Sequence, residues 1–158
     1  MSPLSQKIAA ALEQTTAPGP FRVEEGTAGL ELILSSQGSV GLAFDTLTYR
    51  DTQLAGLSNE NLKNWAERLA SRVTYLMEPL VLVELDPNAG EAELRSQVPT
   101  ARGDLRSFYE ARLNSREGTL KLSRVVFDEA TRRRRPAGCL VTIEVLERLT
   151  DDLVSTSR

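Results

Sequence analysis

Any proton transfer by this chain must be carried without histidine, because its 158 residues contain none, and Cys139 is the single cysteine. Histidine is the side chain whose ordinary pKa suits acid–base work near neutrality, and with cysteine it dominates transition-metal and nucleophilic sites. What remains is carboxylate, lysine, tyrosine, serine and arginine. Glu84 and Asp86 fall on one face of a strand, where a carboxylate pair can serve acid–base chemistry or a hard cation. Aspartate before Pro87-Asn88 is more simply read as a strand end and turn cap. Lys121 and Ser123 have the i, i+2 spacing of a serine–lysine dyad but no accompanying oxyanion loop, and read as ordinary surface. An enzyme here would rest on carboxylate or tyrosine chemistry from Asp45, Tyr49 or Glu84, and would need two of them in one concave pocket. The expectation is no catalytic residue, no cofactor and no metal ligand.

The sharpest local feature is a run of four arginines, Arg132, Arg133, Arg134 and Arg135. Guanidinium groups grip phosphates and carboxylates through paired donors, and a polyanion adds counterion release. Arg106, Arg112 and Lys121 occupy outer positions of the two preceding strands and join the run as candidate contacts for an anionic partner. Against this stand the adjacent Asp128 and Glu129, a pI of about 5.2 and the lack of neighbouring aromatics for base stacking. The run therefore reads first as a solvated hairpin loop, and a nucleic-acid partner is not expected. Arg124 differs from its neighbours by sharing the phase of Leu120, Leu122 and Val126. Trp65, the only tryptophan, lies in a helical apolar stripe and reads as core, with an interface anchor as its alternative role. Cys139 reads as a small buried hydrophobe. Gly26, Gly29, Gly38 and Gly41 form no phosphate-binding pattern.

The elements that must position these groups are legible from period and capping. Ser2-Pro3 opens a helix carrying Leu4, Ile8 and Leu12. Alternation then marks strands at Phe21 and Val23, at Leu30, Leu32 and Leu34, and at Val40, Leu42 and Phe44, with residues 35–38 as a hairpin turn. Ser58 caps a long helix whose stripe is Leu62, Trp65, Leu69, Val73 and Leu76. Leu80 to Asp86 is apolar on both faces at its start and reads as an interior strand covered on both sides or extending under the long helix. Strands follow over 91–98, 105–113 and 119–127. A short return to the sheet is expected around 139–141, and a last helix from Thr142 carries Leu146, Leu149 and Leu153 before fading over 155–158.

Length and composition define one soluble α+β domain over residues 1–158, with three helices against an antiparallel sheet of seven or eight strands in two layers. The apolar stretch ending at Glu13 is too short for a signal peptide, and no run approaches membrane-spanning length. An unpaired cysteine points to a reducing cytoplasm. Residues 1–93 carry 6 basic and 13 acidic side chains, a net −7, and residues 94–158 carry 13 and 9, a net +4. Antiparallel pairing of the two halves would neutralise most of that asymmetry.

The element order over residues 3–98 resembles that of the small acidic chaperones of type III secretion and their relatives. The resemblance is carried by the Leu4/Ile8/Leu12 helix, the strands at Phe21, Leu30 and Val40, the helix from Ser58 to Leu76, and the segments 80–83 and 91–96. The hairpin at 105–127 and its arginine-rich extension are additions. The resemblance implies a sheet packed against helices, a pair of protomers, and apolar grooves that hold an unfolded client segment. The expected function is thus a non-catalytic, homodimeric adaptor or chaperone-like protein that binds another polypeptide and leaves apolar residues exposed on a sheet face. A binding module for an acidic or phosphate-bearing ligand is the alternative from the arginine-rich hairpin.

Overall fold

A computed structural model describes residues 1–14 and 17–157. Arg158, where the last helix was expected to fade, lies outside the described residues. The chain forms α1 (Pro3–Gln14), β1 (Gly19–Glu25), β2 (Ala28–Gln37), β3 (Gly41–Asp51), a short 3-10 turn (Thr52–Leu54) and α2 (Asn59–Arg72). It continues through β4 (Leu80–Asp86), β5 (Glu91–Ser96), β6 (Thr100–Arg102), β7 (Leu105–Asn114), β8 (Thr119–Asp128), β9 (Arg133–Ala137) and β10 (Cys139–Thr142) to α3 (Ile143–Thr156). All ladders are antiparallel, and the main path of the ten-stranded sheet runs β1-β2-β3-β8-β7-β5-β4.

Three strands lie off that path because the central strands splay. β3 pairs β8 over Thr46–Arg50 and β10 over Gly41–Phe44, while the far half of β8, Arg124–Asp128, pairs β9. The chain from Arg133 to Thr142 is thus a wedge driven between β3 and β8. On the other side β7 pairs β5 over Glu110–Asn114 and β6 over Leu105–Ser107. The outcome is a four-stranded arm, β6-β7-β8-β9, at one end of the sheet.

The helices cover one face. Leu4, Ile8 and Leu12 from α1, Leu62, Trp65 and Leu69 from α2, and Leu146, Leu149 and Leu153 from α3 meet Leu30, Leu32, Leu47, Leu94, Leu113 and Leu120 from the sheet, all buried. Burial of each such side chain contributes about 1.5–3 kcal/mol. Caps set the helix starts: Ser2 Oγ accepts from Ser5 N at 3.1 Å, Ser58 Oγ from Asn61 N at 3.1 Å, and Thr142 Oγ1 from Val145 N at 3.1 Å. Arg68 donates twice to the carbonyl of Thr156 and so closes the negative end of α3.

Several expectations need correction. α2 ends at Arg72, short of Leu76, although Val73 and Leu76 remain buried. Tyr75 Oη donates to Asp152 Oδ2 at 2.7 Å and its ring lies 4.0 Å below Arg148, contacts that hold 73–76 off the helical path. β4 is the terminal strand of the sheet and is not covered on both sides; it extends under the long helix, with its inner face against α2. The arginine run is not a loop: Arg133–Arg135 open β9, and only Arg132 sits in the turn, with φ 60°. Val40 faces solvent. β6 and β9 have no apolar alternation and are formed by pairing with the β7–β8 hairpin alone.

Candidate functional site

The residues weighed for catalysis do not converge. Tyr49 is fully buried, its hydroxyl 3.4 Å from Asp51 Oδ2 and 3.3 Å from Ser157 Oγ, while Asp45 and Glu84 are exposed on different strands. Asp86 accepts from the backbone N–H groups of Asn88 and Ala89, both at 3.1 Å, and caps the turn. Lys121 stands opposite Arg112 and Thr48, and Ser123 opposite Glu110 and Thr46, on the open sheet face. Among the described residues no group of three histidine, cysteine or carboxylate side chains is placed to hold a metal ion. Burial pushes the Cys139 thiol up to about 12 and suppresses its reactivity at neutral pH. Trp65 is 0% exposed, so it presents nothing to a partner and serves the core.

The register divides six of the seven candidate cations between two faces, the seventh, Arg132, sitting in the turn before β9. Arg106, Arg112, Lys121 and Arg134 lie on the open face, whereas Arg133 and Arg135 pair with Asp128 and Val126 and lie on the helix-side face of the arm. Across the open face runs an ion-pair chain. Arg112 meets Glu93 at 3.0 Å, Glu93 meets Arg95 at 2.9 Å, Arg95 meets Glu110 at 3.3 Å, and Glu110 meets Arg134 at 2.7 Å. The hydrogen bond that Arg112 donates to Glu93 raises the Arg112 pKa further. Arg106 reaches Glu129 at 3.3 Å. The sheet face expected to be apolar is therefore charged.

Within that charged face lie two aromatic rings. Phe108 opposes Val125 and Phe127 opposes Arg106, so the rings are diagonal neighbours on adjacent strands. The guanidinium of Arg95 lies 5.8 Å from the Phe108 centroid and that of Arg132 5.3 Å from the Phe127 centroid. In the linear chain Phe108 is far from the arginine run. The β7–β8 register brings it there, and the phase of Phe108 with Arg106 and Arg112 was the available signal.

A second constellation is buried. Arg124 donates to Glu78 through two nitrogens, at 2.9 and 2.8 Å, and Glu78 also accepts from Ser96 Oγ at 2.8 Å and Thr100 Oγ1 at 2.7 Å. The Arg124 guanidinium lies 4.4 Å from the Tyr109 centroid. Burial alone would raise the Glu78 pKa, but the bonds from Arg124, Thr100 and Ser96 prevail and hold it below the usual carboxylate value. Arg124 was legible as an arginine in core phase. Its partner, between Met77 and Pro79, lies outside any periodic segment.

The third feature is the β4 edge. Val83 sits at a bulge between Leu82 and Glu84 and is 49% exposed, and Met77 and Val98 beside the strand's start are 67% and 69% exposed. No protein family matches this chain, and no curated protein matches it.

Proposed function

We propose that the protein is a non-catalytic protein-binding adaptor of chaperone-like character, working as a homodimer in the cytoplasm. The observation that supports this reading is the free edge of β4. A terminal strand presents a row of unpaired backbone donors and acceptors, and natural sheets ordinarily blunt such edges with charge, proline or bulges. The opposite edge, β1, is blunted by Pro20, Arg22 and Glu24. On β4 the bulge, Glu84 and Asp86 guard the second half only, and Leu80 to Val83 remain apolar beside Met77 and Val98. Two copies meeting antiparallel about a twofold axis there bury the same apolar run twice and leave both charged open faces for a client.

The experiment is multi-angle light scattering on the wild type and on Val83→Lys, which places a charge on the edge without touching the core. The expected result is a wild-type dimer and a folded Val83→Lys monomer, judged by unchanged circular dichroism. A wild type that stays monomeric across the accessible concentrations, or a dimer indifferent to the lysine, overturns the reading.

A further inference from the structure

We infer that the open face of the β6–β9 arm, at Phe108 and Phe127, is a binding platform for single-stranded RNA. The aromatic faces whose lack beside the arginine run argued against a nucleic-acid partner are supplied by the fold, which brings two rings to the run. Each ring is half-buried and is covered by a guanidinium rather than by a helix or loop: Arg95 over Phe108 and Arg132 over Phe127. Arg132 is an exposed side chain that can swing aside, whereas Arg95 is half-buried and paired with Glu93 and Glu110, so Phe127 is the ring reached first and Phe108 opens only when those ion pairs part. A base stacked on an aromatic ring is held more strongly than an exposed cation–π contact, so a nucleobase displaces the guanidinium and leaves it to pair with the adjoining phosphate.

The surroundings favour a polyanion with hydroxyl groups. Arg106 and Arg134 stand in one row across Phe127, while towards β5 Arg95 and Arg112 alternate with Glu91, Glu93 and Glu110. Around Phe127 Arg106, Arg132 and Arg134 stand against Glu110 and Glu129, and exposed Arg102, Arg133 and Arg135 on the other face of the arm add to the field. Interleaved carboxylates repel phosphate but accept from a hydroxyl, and the ribose 2′-OH is the donor that RNA offers and DNA lacks. A duplex hides its base faces and gains nothing from the rings.

The test is fluorescence anisotropy of a labelled oligouridine with the full chain, against deoxyoligouridine, an RNA duplex and polyglutamate as competitors. Oligouridine is expected to bind with a salt slope of about −2 to −3, corresponding to three or four phosphate contacts. The Phe108→Leu/Phe127→Leu double variant keeps apolar bulk but loses the stacking faces, and is expected to weaken binding about tenfold or more. Arg22→Ala, at the far end of the same face, should change nothing. If the leucine variant fails to fold, Arg132→Gln/Arg134→Gln replaces it and should make the salt slope shallower by about 1.4. No RNA binding at low salt, equal binding of DNA or duplex, equal displacement by polyglutamate, or leucine variants that bind as the wild type each overturn the assignment.

Discussion

The most consequential residues are Glu78 and Arg124, because a charge pair removed from water stabilises only when both members and their remaining donors are satisfied. Here they are: two nitrogens of Arg124, Ser96 and Thr100 all donate to one carboxylate, and Ser96 Oγ in turn accepts from Tyr109 N at 2.7 Å. Removing one partner strands a buried charge. Arg124→Met is therefore expected to cost about 3–5 kcal/mol, and Glu78→Gln/Arg124→Met to cost less than the sum of its single variants by at least about 1 kcal/mol. Urea denaturation of the four proteins checks this, and additive losses would show that the pair is not coupled. The pH dependence has a definite sign. The Glu78 pKa is lowered by folding, so its contribution is complete above the usual carboxylate range and disappears as pH falls through the depressed value. Asp151, lowered by bonds from Ser5 and Ser2 that outweigh its burial, loses stability in the same direction.

At the level of elements, the β7–β8 turn packs against the β3 corner through backbone and tolerates no side chain there. Gly118 has φ 69°, and a Cβ on it would stand 2.5 Å from the carbonyl oxygen of Asp51 and 2.9 Å from the nitrogen of Ala55. Gly26 has φ 60° and nothing within 4 Å. Gly118→Ala is expected to cost about 2–4 kcal/mol and Gly26→Ala about 1 kcal/mol, since only the first adds a backbone clash to left-handed strain. Thermal melts of the two variants separate these causes, and equal losses would discard the clash. The same scale shows what the sequence could convey. Helix starts at Ser58 and Thr142 and the buried faces of β2 and β8 were readable, because capping and alternation are local. The end of α2, the edge position of β4 and the existence of β6 and β9 were not. Each depends on a partner distant in sequence: Asp152 for Tyr75, α2 for the inner face of β4, and the β7–β8 hairpin for two strands with no apolar pattern of their own. The ring pair is likewise written in two strands and appears only when their register is set.

For the molecule as a whole, the opposite net charges of the two halves do not make two poles, because the halves interlock at β5, where Arg112 and Arg95 meet Glu93, and again where Arg124 meets Glu78 and Arg72 meets Asp152. Stability is nevertheless uneven. The helices pack on β1, β3, β4, β5 and β10, whereas the arm side chains beyond Tyr109 and Arg124 are at best half-buried, apart from Val125 and the partly covered Ala137 wedge beside Cys139. Elements with few buried apolar contacts open at a lower free energy than the core they adjoin. Glu78 is the bolt between the two regions, since it holds β5 through Ser96, β6 through Thr100 and β8 through Arg124 at once. Hydrogen exchange is therefore expected to show β6 and β9 amides opening before those of β2 and β3 in the wild type. In Glu78→Gln, protection should fall across 100–108 and 124–137 while β2 and β3 keep the exchange rates of the global unfolding reaction. A uniform fall across all strands would mean that arm and core unfold as one unit and that the buried pair stabilises the whole sheet rather than the joint.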